Sequence, residues 1–158
     1  MPVVHYWNEE GGYLYAGEMR EGDRLASSDE IENHYGNPLQ NARNRAFEAL
    51  REKRKEVEYG GFIFNGKKWD SEIKDELRLN SIVKMFELTG VTEFDGWKIS
   101  ENEYITITPE IIHGAAITLM QHYAHSFAIE AIKQAEIGSL TDPQEIETWI
   151  QTQLDIGW

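Results

Sequence analysis

Apolar residues along the chain alternate between short β-like runs and longer blocks of helical period. Val3-Val4-His5-Tyr6-Trp7 and Tyr13-Leu14-Tyr15-Ala16 flank the turn-like Asn8-Glu9-Glu10-Gly11-Gly12, which predicts an N-terminal hairpin. Residues 17–36 are polar and contain Gly22, Ser27, Ser28 and Gly36, the composition of a loop or linker and the best candidate for a boundary. A helix is then expected from Asn37-Pro38, an N-cap followed by proline at the first turn, to Gly60-Gly61. Its apolar stripe is narrow: Leu39, Ala42, Ala46, Leu50, Lys53 and Val57 recur at three- and four-residue steps.

Phe62-Ile63-Phe64-Asn65-Gly66-Lys67-Lys68-Trp69 carries the strongest short hairpin signal, Asn-Gly between β-formers. Asp70 or Ser71 is expected to cap a second helix reaching Thr89 and Gly90. Ile73, Leu77, Ile82, Val83, Met85, Phe86 and Leu88 occupy more than one of its faces, which predicts a largely buried C-terminal half. A third two-stranded unit, Gly96–Ile99 with Tyr104–Ile107, leads into Thr108-Pro109-Glu110, a further helix start. The helix it opens should run to about Ile137 and end at Gly138. Being apolar around most of its circumference, it is expected to be the core helix. Asp142 and Glu145 are spaced as a capping box for a last amphipathic helix. The fold class expected is α+β. Residues 1–36 form a β-hairpin module and polar connector, and residues 37–158 a mainly helical domain with about four helices and two short hairpins.

Composition narrows the function. The 158 residues hold 15 Lys+Arg against 28 Asp+Glu, a formal net charge of −13, so a phosphate backbone is repelled and nucleic acid is an unsuitable partner. The basic cluster of residues 37–59 is interspersed with glutamates and reads as a solvated helix face laced with pairs four residues apart, such as Glu48/Glu52 with Lys55/Arg51. No apolar run is long enough for a membrane span, and the Met1-to-Trp7 start lacks the features of a signal peptide. The absence of cysteine removes disulfides, thiol catalysis and Cys-based zinc sites.

The histidines are the one conventional lead to a metal or a catalytic site. His122 and His125 lie three apart on the long helix and His113 precedes them, yet no Asp or Glu stands between Glu110 and Glu130 to complete a ligand set. They read better as boundary or core histidines. Asp70 with Glu72, and Asp75 with Glu76, read as first-turn acids complementing a helix dipole. No nucleophile elbow, P-loop or dinucleotide fingerprint is present. The aromatics of the first hairpin carry more information. A two-stranded hairpin cannot bury Tyr6, Trp7, Tyr13 and Tyr15 by itself. They must dock on the rest of the chain, or present an interaction surface of the kind in which tyrosine and tryptophan dominate.

The run from Arg51 through Gly60-Gly61-Phe62-Ile63-Phe64-Asn65-Gly66-Lys67-Lys68-Trp69-Asp70-Ser71 resembles the opening of a domain family of tailed phages and prophages. Its members begin with a charged helix and a short aromatic hairpin closed by an aromatic, Asp and Ser. Gly96-Trp97-Lys98, the Tyr104-to-Thr108 strand before a long alanine-rich helix, and Asp155-Ile156-Gly157-Trp158 are similar to the later pieces of that domain. Tyr6-Trp7-Asn8-Glu9-Glu10-Gly11-Gly12-Tyr13-Leu14-Tyr15 resembles the opening of tail-fibre assembly proteins. This resemblance implies a non-enzymatic, cofactor-free chaperone that binds the distal part of a phage tail-fibre trimer and assists its folding and trimerisation.

Its expected partner surface is Tyr6, Trp7, Tyr13, Leu14 and Tyr15. Its expected place is the host cytoplasm during phage assembly, or the virion tail if it is retained; its own oligomeric state is left open. The alternative is a permanent virion component, a fibre-tip or baseplate adaptor using the same surfaces. A third reading is a metal protein or enzyme centred on the histidines.

Overall fold

Two hydrophobic clusters form along the two halves of one long helix, and a computed structural model describes residues 3–158. Met1 and Pro2, which begin the stretch examined above for a signal peptide, lie outside the described residues. The chain runs β1 (His5–Asn8), β2 (Tyr13–Ala16), β3 (Arg24–Leu25), α1 (Ser28–Tyr35), α2 (Pro38–Tyr59), β4 (Phe62–Phe64), β5 (Lys67–Trp69), α3 (Ile73–Thr89), β6 (Phe94–Ser100), β7 (Glu103–Ile107), α4 (Pro109–Ser139) and α5 (Pro143–Gln153). The architecture is α+β. Three small antiparallel sheets stand in the order β2-β1-β3, β4-β5 and β6-β7. Among the described residues no helix is long and apolar enough to cross a membrane.

Local chemistry explains most boundaries. Asn37 accepts the Gln40 N–H ahead of α2, and Thr108 accepts that of Ile111 ahead of α4, each followed by proline in the first turn. Asn65 and Gly66 take φ of 50° and 72°, as the two-residue turn between β4 and β5 requires. Gly114 serves packing instead: a Cβ there would lie 2.7 Å from the Phe64 ring, so its absence lets β4 sit against α4.

The first cluster joins Phe62 and Trp69 of the β4-β5 hairpin, Leu79, Ile82 and Phe86 of α3, Ile99 and Ile107, and the first half of α4 through Ile112, Ala115 and Leu119. The second joins Ala42, Ala46 and Leu50 of α2 with Ile137 of α4 and Ile146 and Trp149 of α5. The α2 and α4 helices therefore run antiparallel, and a polar waist separates the two clusters. There Arg54 pairs with Glu58, while its Nε lies 2.8 Å from Glu130, and all three side chains are close to nine-tenths buried.

A second set of bonds anchors the end of α2. Ser71 Oγ donates to the Glu58 carbonyl at 2.6 Å and accepts the Gly61 N–H at 2.8 Å. His122 Nε2 sits 2.9 Å from the Val57 carbonyl, a distance that asks for the N–H on that nitrogen. Tyr123 donates its hydroxyl to the Ser71 carbonyl at 2.7 Å. Burial pushes the Tyr123 hydroxyl up to about 12, so the proton that it donates is kept. Beyond the waist, Lys133 donates to the Gln153 carbonyl at 2.6 Å and faces the rings of Trp149 and Trp158. The Trp158 indole returns to the Leu154 carbonyl at 2.6 Å, which gives the closing Asp155-to-Trp158 motif a packing role.

Several expectations need correction. The polar segment 17–36 is not all loop: β3 adds to the hairpin, and Ser27 with Glu30 forms a full capping box that opens α1. Neither Asp70 nor Ser71 caps α3. Glu72 occupies the N-cap without a side-chain bond, because Ser71 is committed to the end of α2. Gly138 does not end α4, which continues to Ser139. Asp142 caps α5 through the Gln144 N–H. The charged face of α2 is laced by three-residue rather than four-residue pairs, Arg51 with Glu48 and Lys55 with Glu52. Finally, α3 and α4 bury one face each. Leu79, Ile82 and Phe86 are inside, whereas Ile73, Leu77 and Leu88 on α3 and Ile117, Met120, Phe127 and Ile132 on α4 are exposed.

Two substitutions test the waist. Ser71→Ala orphans a buried carbonyl and a partly buried N–H together, and should lower unfolding stability by about 1–3 kcal/mol. Arg54→Ala leaves two nearly buried carboxylates facing each other and should cost about 3–5 kcal/mol. Urea unfolding followed by circular dichroism reads both, and a loss under about 0.5 kcal/mol, the size of an ordinary surface change, would contradict the assignment.

Candidate partner-binding surface

Strand register sorts the N-terminal side chains onto two faces. Tyr6 pairs with Tyr15, Trp7 with Leu14 and Asn8 with Tyr13, while β3 sets Leu25 beside Tyr6 and Arg24 beside Trp7. Because side chains alternate along a strand, Tyr6, Asn8, Tyr13, Tyr15 and Leu25 share one face. His5, Trp7, Leu14 and Arg24 share the other. The second face is turned to α1: Leu14 is buried, the His5 ring lies 5.2 Å from that of Tyr35, and Arg24 donates to Glu30 at 2.8 and 2.6 Å. The first face carries a tyrosine ladder, with Tyr15 5.8 Å from Tyr6 and 6.2 Å from Tyr13.

The five residues expected to bind a partner are therefore divided. Tyr6, Tyr13 and Tyr15 lie together on the ladder face. Trp7 and Leu14 lie on the face turned to α1, and Leu14 is closed off within the module. The hairpin docks on a short helix of its own segment, and among the described residues none of 3–36 enters either hydrophobic cluster of the helical domain.

The loop between β2 and β3 supports one end of the ladder. Tyr15 donates its hydroxyl to Asp23 at 2.6 Å and accepts the Arg20 N–H at 3.0 Å; the Asn8 amide donates to the other Asp23 oxygen at 2.9 Å. The Arg20 guanidinium sits 4.9 Å over the Tyr15 ring and donates to the Tyr13 hydroxyl at 3.2 Å. Desolvation and the Asp23 carboxylate raise the Tyr15 hydroxyl above its ordinary range, which keeps it a donor. Between this loop and the β1-β2 turn lies an open cleft of about 560 Å³, lined among others by Glu9, Glu10, Tyr13, Arg20 and Asp23. Such an arrangement offers aromatic area and hydrogen-bond partners to another polypeptide. Arg20 and Asp23 were missed in the sequence because they sit in a stretch whose composition reads as linker.

The histidines do not form a centre. His122 is spent on the Val57 carbonyl and stacks 6.4 Å from Phe62, while His113 and His125 are exposed. Among the described residues no three His, Asp or Glu side chains gather where a metal could be held. The small hollow between Trp69, Asp75, Arg78 and Trp97 measures about 10 Å³, room for a single water.

Acid tests the support of the Trp7-bearing face. The Arg24 guanidinium, assisted by the Ser27 N–H, holds the Glu30 carboxyl at about 2 against an ordinary 4.5. A depressed carboxyl stabilises the folded module above its unfolded value and loses that contribution as pH falls through the folded one. The helical signal of α1 should accordingly decline between about pH 4.5 and 2. In Glu30→Gln this acid transition should vanish, as read by NMR amide shifts of residues 27–35 across that range.

A family model described as a domain of unknown function (DUF4376) matches residues 41–151, from the first turns of α2 into α5. No curated protein and no solved structure matches the chain.

Proposed function

We propose, for a chain that belongs to this DUF4376 family, the role of a non-enzymatic assembly chaperone for the fibre of a tailed phage. Its partner would be the distal region of the fibre trimer, engaged before folding is complete. The observation that carries the reading is the tyrosine ladder beside the outer edge of β2, with Tyr13 exposed and Tyr6 and Tyr15 half-buried. Fibre trimers interleave strands from three chains, so their contacts are non-local and their strand edges stay open while they form. A strongly acidic protein offering an aromatic face and a free edge can cover such a surface and hold it in solution. Rigid tyrosines bury large area at little cost in rotamer freedom, which suits a partner that must also be released.

The resemblance of Tyr6-to-Tyr15 to the opening of tail-fibre assembly proteins, and of the Trp69-Asp70-Ser71, Gly96-Trp97-Lys98 and Asp155-to-Trp158 motifs to a domain family of tailed phages and prophages, supports the same reading. The domain motifs have packing duties in the helical body. This leaves the N-terminal module as the surface for recognition.

Co-expression with the fibre encoded beside it tests the proposal. Soluble, SDS-resistant fibre trimer should form with the wild-type chain and fall at least tenfold with Tyr6→Ala/Tyr13→Ala, the loss expected when hot-spot aromatics are removed. Equal trimer yield without the chain would overturn the chaperone role. Equal yield with the double variant, its module still folded by NMR, would overturn the tyrosine face as the contact.

A further inference from the structure

The outward face of α4 is apolar, continuous and spaced as a coiled-coil seam. From His113 to Gln134 the steps run four, three, four, three, four, three through Ile117, Met120, Ala124, Phe127 and Ala131, and every one of these positions is exposed. Ile117 is 60%, Met120 57% and Phe127 50% accessible, on a helix whose opposite face supplies Ile112, Leu119 and Ile137 to the two cores. A repeat of 3.5 is the pattern that presents one straight seam to a facing helix over many turns. Here it spans roughly 31 Å of helix. A lone surface helix normally carries charge on that side.

We infer that this seam is the contact between two copies of the chain, packed α4 against α4 about a two-fold axis near Ala124. Charge selects a second copy as the occupant. The chain carries a formal −13, yet no Asp, Glu, Lys or Arg occurs from Ile111 to Ile129, so this is a stretch on which two such chains can meet without facing like charges. The side chains suit a two-fold as well. An axis near Ala124 sets small Ala124 against its own copy at the crossing, Ile117 against Ala131 and Met120 against Phe127. The Phe127 ring is held from one side by the Arg54 guanidinium, 4.3 Å away and itself fixed by Glu58 and Glu130, which pre-orders one knob of the contact. A single helix pair is a small interface, so dissociation in the micromolar range is expected.

Sedimentation velocity of the full chain over roughly a hundredfold range of concentration tests this by mass action. The wild type should rise from 18.3 kDa towards twice that mass. Met120→Glu should weaken association at least tenfold with unchanged circular dichroism, because the position is exposed. The chain has no cysteine, so Ala124→Cys should form a disulfide-linked dimer on mild oxidation, while Thr148→Cys on the exposed face of α5 should not. A wild type of 18.3 kDa at every concentration, a Met120→Glu variant that dimerises as well as wild type, or equal linkage at the two cysteine positions would each overturn the inference. If the wild type is monomeric and a co-expressed fibre shields Ala124→Cys from thiol labelling, the seam belongs to the fibre instead, which also overturns it.

Discussion

Buried polar groups at the end of α2 must find partners, and the shape of the helical domain follows from how they do so. A helix leaves its last carbonyls without intrahelical bonds, and burying them unpaired costs as much as losing several surface contacts. Here Val57 and Glu58 direct theirs at His122 and Ser71, residues that belong to α4 and to the approach to α3. Satisfying that one helix end fixes how α2 crosses α4 and where the β4-β5 hairpin returns. It also excludes Ser71 from capping the helix that follows it. The Arg54 group a turn earlier adds the same kind of constraint with charge: two glutamates tolerate burial because one guanidinium lies between them.

Much of this architecture was legible in the residues. Periodicity located α2 to α5, and Asn65-Gly66 located the sharpest turn, because these signals act within a few residues of each other. What escaped depended on distance in the chain. Ser71 carries an excellent capping residue type in a plausible place, and only its proximity to Glu58, thirteen positions earlier, reveals its other use. Segment 17–36 failed for a different reason. Its polarity suggested linker, although Ser27-Ser28-Asp29-Glu30 spelled a local helix start that composition masked. On α3 and α4 the hydrophobic count was right but its meaning was not. An apolar perimeter shows that a face wants company, not that this chain provides it.

The candidate surface was half legible. Alternation along β1 and β2 is enough to place Tyr6, Tyr13 and Tyr15 on one side and Trp7 and Leu14 on the other, given the register. Nothing in the strands themselves states which side α1 will take. That choice follows from Arg24, which pairs with Glu30 of the capping box and so draws α1 over its own side of the sheet.

Sharing α4 between both hydrophobic clusters has a consequence for motion. Its middle turns cannot fray without exposing one core or the other, so their amides should open only when the whole helical body unfolds, at the slowest exchange in the molecule. The three short strands and α1, with no residue in either cluster, are free to breathe on a faster clock. The spine thus keeps the form of the helical body whatever the N-terminal module does.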